Sequence, residues 1–125
     1  MNALNLAQKA YATAETPIRT PRSIEYEAFA RITHRLNAAA GKGRQAFAQL
    51  AEAIHANRQL WTMLATDVAD TGNGLPQDLR ARIFYLAEFT NHHSHLVLSG
   101  EADPAPLIEI NTAIMRGLRN RAVAS

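Results

Sequence analysis

Residues 59–89 read QLWTMLATDVADTGNGLPQDLRARIFYLAEF, two strongly apolar helical patterns set on either side of one short break. Before the break, Phe47, Leu50, Ile54, Asn57, Trp61, Leu64 and Val68 recur at steps of three and four, which places them on one stripe of an α-helix. Only Asn57 interrupts that stripe. The break carries Gly72, Asn73 and Gly74, residues that accept positive φ and so end a helix at little cost. Pro76 follows, with a fixed φ and a missing N–H that suit a first helical position. So short a connection returns the second helix antiparallel to the first.

The last turn before the break holds Asp67 and Asp70 at the negative end of the helix dipole, where acids are unfavourable by about 0.3–1 kcal/mol. Compensation is expected from the free N–H groups that open the next helix, or from Arg80 and Arg82. Trp61, Asp67, Asn73, Pro76 and Arg80 are therefore the expected structural residues of the hairpin.

Beyond the break, Leu79, Ile83, Leu86, Thr90 and Val97 form a core stripe, and Tyr85, Phe89, His92 and Leu96 form another on a different face. Two readings stay open. Either this helix is central in its bundle and buried on both sides, or the second stripe docks a partner. On the docking reading Tyr85, Phe89 and Leu96 are the binding residues.

Towards the N-terminus, residues 3–12 carry a narrow, alanine-rich face of Leu4, Ala7 and Tyr11, too small to hold a helix alone in water. ETPIRTPRS then reads as a linker, so residues 1–22 are expected to move or to exchange partners, which makes Leu4 and Tyr11 further candidate partner-binding residues. Thr20 before Pro21, or Ser23 with acids behind it, can cap a helix that turns Ile24, Ala28, Ile32 and Leu36 inward and stops near Gly41. On the other side of the hairpin, Asp103 and Pro104 make a helix start. Leu107, Ile110, Ile114 and Leu118 then point inward, with Ile108 and Met115 beside them. Gly117 weakens the end, and the tail RNRAVAS is expected to fray. No stretch alternates β-branched and polar residues over a strand length. The expected fold is all-α: one domain over 1–125, a compact bundle of about five helices around a central antiparallel hairpin.

A chain of 125 residues with 47% apolar composition supports one core. With no cysteine, disulfides, thiolate chemistry and sulfur-ligated zinc are excluded. The opening MNALNLAQKAY lacks a basic leader followed by an apolar run, and no segment has the length of a membrane span. A soluble cytoplasmic protein without membrane contact is the expectation. The net charge of +2 is too small to argue for nucleic acid, although basic residues gather in the first third and at the tail while acids dominate between them.

The residues offer little chemistry. His92, His93 and His95 suggest a metal cluster, but only His92 and His95 share a face, and Glu88 is the one carboxylate a turn away. Carboxylates stand singly, no nucleophile has a triad or elbow setting, and GKG and GNG lack the strand and lysine placement of a phosphate loop. No metal, no cofactor and no catalysis are expected.

Three runs carry a resemblance: the opening MNALNLAQKAY, the central NRQLWTMLATDVADTGNGLPQDLRARIFYLAEFT, and LIEINTAIMRGL near the end. They resemble the flagellar biosynthesis regulators of the FlaF family over almost the whole chain. The most specific parts include Asn73, Leu75, Pro76, Leu79, Arg80 and Phe89, then Glu109, Asn111, Met115 and Gly117. The resemblance implies a helical cytoplasmic protein that binds flagellin as a secretion chaperone, promotes its synthesis and export, and is opposed by a partner regulator, FlbT. It supplies no binding residues. The rival reading is an RNA-contacting regulator of flagellin messages, resting on the basic first third and arginine tail.

Overall fold

A computed structural model describes residues 21–124, with side chains described for 26–119. The apolar stripes fold into α1 (Pro21–Ala40), α2 (Phe47–Ala69), α3 (Gln77–Leu98) and α4 (Ala105–Ala124), with a 3₁₀ turn at Gly43–Ala46 before α2. Among the described residues there is no strand, and the fold is all-α. The predicted helix over 3–12, with Leu4 and Tyr11, and residues 13–20 of the expected linker fall outside the described residues, whereas Pro21, Arg22 and Ser23 at the linker's end already belong to α1; the described part has four α-helices where the whole chain was expected to have about five.

The core gathers Phe29, Ile32 and Leu36 of α1, Ala53, Ile54, Leu60, Trp61, Leu64 and Val68 of α2, Ala87 and Val97 of α3, and Leu107 of α4. Phe29 sets its ring edge against Trp61 at 5.6 Å between centroids, a favoured quadrupole geometry. Among the described residues α1 and α2 each pack against two helices, α1 against α2 and α4, α2 against α1 and α3, whereas α3 packs on α2 and meets α4 only lightly.

The stripe of α2 runs as expected from Leu50 to Val68, but Phe47 stands 48% exposed. Phe47 shares the stripe's phase but is the first residue of α2, directly after the 3₁₀ turn that Gly43 starts at φ +73°, where the stripe runs past the packed part of the helix. The break also closes differently from the glycine mechanism. Neither Gly72 nor Gly74 has positive φ; the two glycines that do are Gly43 and Gly100. Instead Asp70 leaves the helix in an extended conformation and its Oδ1 accepts from the Gly72 N–H at 3.0 Å, while Asn73 Oδ1 accepts from the Leu75 N–H at 2.9 Å. Two Asx turns replace a left-handed cap. At the start of α4, Asp103 Oδ1 accepts from the Ala105 N–H at 2.7 Å, the capping bond expected there. The helix then continues through Gly117 to Ala124 where fraying was expected.

Candidate interaction surface

The hairpin residues are placed as follows. Asp67 is fully buried in the last turns of α2. Arg80 reaches back across the break, and its Nε donates to the Val68 carbonyl at 3.0 Å, so this arginine serves one of the open carbonyls at the end of α2. Pro76 sits immediately before the first residue of α3, and its carbonyl accepts from the Arg80 N–H at 3.0 Å. Farther along, Arg58 Nε donates to Asn91 Oδ1 at 3.1 Å, and Arg58 Nη2 donates to His95 Nε2 at 3.4 Å. Pairs 68–80, 58–91 and 58–95 widen steadily away from the break, so α2 and α3 run past each other in opposite directions.

Trp61 belongs to a polar knot that the sequence pattern did not reveal. Its Nε1 donates to Asn111 Oδ1 at 2.9 Å, and Asn111 Nδ2 donates to Thr33 Oγ1 at 3.1 Å and to Asn57 Oδ1 at 2.8 Å. All four side chains are buried, and they join α1, α2 and α4. Asn57 and Asn111 each interrupt an apolar stripe, and two such interruptions on different helices were the signal available. The Asn111 amide is fully engaged, while Asn57 Nδ2 has no partner among the described residues; a buried amide bonded across three helices specifies which faces meet, because any slip leaves further donors and acceptors without partners.

A cleft of about 430 Å³ lies between α2 and α3. Its α2 side is Arg58, Trp61, Thr62, Ala65, Thr66 and Ala69; its α3 side is Phe84, Ala87, Glu88, Thr90 and Asn91. The trough exists because Ala65, Thr66 and Ala69 face Ala87 and Thr90, and small side chains do not fill the space between two helices. Phe84 forms one wall and is 41% exposed, and its neighbour Tyr85 is 65% exposed. Arg58 and Glu88 put one charge of each sign at the cleft.

The candidate strip on α3 divides. Tyr85 is exposed, whereas Phe89 and Leu96 are half-buried, and Phe89 stacks on His93 at 5.5 Å between centroids with a 12° interplanar angle. Phe84 was not among the candidates, although it shares the cleft with a row of small residues. The three histidines diverge: His95 turns to Arg58, His93 donates from Nε2 to the Asp103 carbonyl at 2.8 Å, and His92 is exposed. Among the described residues no three His, Cys, Asp or Glu side chains are placed to hold a metal ion. Among the same residues no helix is long and apolar enough to cross a membrane.

The cleft is an apolar trough between two helices, with small side chains on its floor and Phe84 on its wall. Comparison with curated proteins returned no match, and neither did comparison with solved structures. The family described as flagellar protein FlaF matches residues 7–118, nearly the whole chain, and the protein belongs to the FlaF family.

Proposed function

We propose that this flagellar protein works by binding rather than catalysis, as a cytoplasmic secretion chaperone that covers an amphipathic helix of flagellin and so promotes flagellin synthesis and export. The observation that carries the reading is the apolar cleft between α2 and α3 with Phe84 on its wall and Tyr85 beside it, an aromatic pair left to solvent on a helix that packs mainly on α2 among the described residues. Helix-in-groove recognition uses such a trough, with aromatic residues as anchors. Flagellin must be kept from polymerising before export, and masking one apolar helix face accomplishes that without a chemical step. The regulator FlbT is a second partner on this reading, as the family resemblance implies.

The RNA reading keeps one supporting observation. Exposed Arg31 and Arg35 of α1 and exposed Arg116 and Arg119 of α4 lie on two helices that pack together. Glu27 and Glu109 on the same helices dilute that charge. Size-exclusion chromatography of the purified protein with flagellin, and separately with the untranslated RNA of its message, decides between the two. Coelution with flagellin alone is expected; coelution with RNA alone would replace the chaperone reading.

A further inference from the structure

We propose, resting on the chaperone reading, that Arg58 selects which helix of flagellin the α2–α3 cleft accepts, by pairing with an aspartate or glutamate about two turns from the residue that packs on Phe84. Arg58 and Glu88 are the charged residues lining the cleft, and they differ: Glu88 is exposed, whereas Arg58 is half-buried. A half-buried charge at the end of an apolar trough governs what can cover that trough.

The guanidinium is held without being neutralised. Its Nε donates to Asn91 Oδ1 at 3.1 Å and its Nη2 to His95 Nε2 at 3.4 Å, and neither acceptor is a carboxylate. Among the described residues Arg58 has no ion pair, and its Nη1 edge takes no bond. Two bonds to α3 fix the long side chain in advance, so less rotamer entropy remains to be lost when a partner arrives. The free planar edge matches the two oxygens of a carboxylate.

Any helix that fills the trough over Ala65, Ala69 and Ala87 also covers Arg58, which lines the same space. Taking a guanidinium out of water without an anion is costly, and a carboxylate within bonding reach offsets that cost. A helix of equal apolar fit that lacks the acid is therefore rejected, a discrimination that apolar contact alone does not supply. The position of the acid follows from α3. Phe84 and Asn91 lie seven residues apart, hence on one face and about 10 Å apart along the axis, and Arg58 is bonded to Asn91. A helix lying along the cleft then carries its acid about seven residues from the apolar side chain that meets Phe84.

Calorimetric titration of monomeric flagellin into the full chain and three variants tests this. Arg58→Met keeps the apolar stem, removes the charge, and should weaken binding by about tenfold or more. Arg58→Lys should recover part of that loss, and Glu88→Gln should stay within about twofold of the parent. Thermal midpoints read on Trp61 fluorescence establish that each variant is folded, because Arg58 also ties α2 to α3. Carbodiimide coupling of the Arg58→Lys variant to flagellin then marks the acid, since the new amine links only to a carboxylate in contact. Changing that acid to its amide should weaken binding to the parent as Arg58→Met does, and should add nothing when the two changes are combined. If Arg58→Met does not fold, the coupling and the amide change measured against the parent decide. Equal affinity of the parent and Arg58→Met, no link from position 58, or an amide change without effect on the parent overturns the proposal and leaves the chaperone reading standing. A parent that does not bind flagellin overturns both.

Discussion

Trp61 Nε1 and Asn111 Oδ1 meet at 2.9 Å with both side chains closed to solvent, so the one tryptophan of the chain reports directly on whether α4 is seated against α2. Asn111 is the hub, since its amide also serves Thr33 and Asn57. Asn111→Ala removes partners from three buried groups and opens a small cavity, and should cost on the order of 3 kcal/mol in urea unfolding followed by Trp61 fluorescence. A loss under about 1 kcal/mol would mean that the knot contributes shape and little energy.

Thr90 tests the opposite case. Its Oγ1 is buried at the cleft without a partner among the described residues, whereas Ser94 Oγ, one turn on, donates to the Thr90 carbonyl at 2.7 Å. Replacing an unserved hydroxyl by a methyl of similar shape removes a desolvation penalty. Thr90→Val should therefore raise stability by about 1 kcal/mol, read from the same urea curve. A fall instead would point to an ordered water bound at that hydroxyl.

In the break between α2 and α3, Asp70 and Asn73 accept the hydrogen bonds that shape the turn. Asp70→Ala loses the acceptor for the Gly72 N–H and should lower stability by about 1 kcal/mol, whereas Glu52→Ala on an exposed position should change it by under about 0.5. Equal denaturation midpoints for the two variants would remove Asp70 from the turn's energetics.

Glycine conformation gives a paired prediction. Gly100 sits at φ +80°, where a Cβ is strained, while Gly117 lies within α4 with open space where its Cβ would be. Gly100→Ala should destabilise by about 1 kcal/mol, and Gly117→Ala should stabilise by a similar amount through helix propensity. Thermal midpoints moving in the same direction would contradict the backbone argument.

The long-range pattern of the bundle was legible where residues repeat. The stripe from Leu50 to Val68, the start at Asp103 and Pro104, and the inward Leu107 all follow from apolar spacing and oxygen caps, signals that local physics carries within one or two turns. What spacing cannot carry is pairing between distant residues. Asn57 and Asn111 each look like a flaw in a stripe until the fold brings them to 2.8 Å. Phe47 falls on the stripe by spacing, but it opens α2, and spacing does not tell where along a helix the packing begins. Gly72 and Gly74 were given the work that Asp70 and Asn73 do, because Asx turns and left-handed glycine caps share the same residue vocabulary. At the candidate surface, the second stripe on α3 named Tyr85, which is exposed, but Phe84 became visible only once the small residues of α2 stood opposite it.

That shift decides the functional experiment. Phe84 is 41% exposed on the cleft wall and Tyr85 is 65% exposed, while Phe89 is half-buried and stacked on His93. Truncating a residue that already faces water forfeits little packing, so Phe84→Ala should leave the thermal midpoint nearly unchanged, with a stability loss under about 1 kcal/mol. If the cleft receives a flagellin helix, the same change should weaken flagellin binding by roughly tenfold or more, because aromatic anchors carry most of such an interface. Phe89→Ala should behave differently, lowering stability by about 2 kcal/mol through lost packing at the α3–α4 flank. Measuring melting temperature and flagellin affinity on both variants separates anchor from scaffold. A Phe84 variant that binds flagellin like the parent would clear the cleft of that role and turn the search to the surface of α1 and α4.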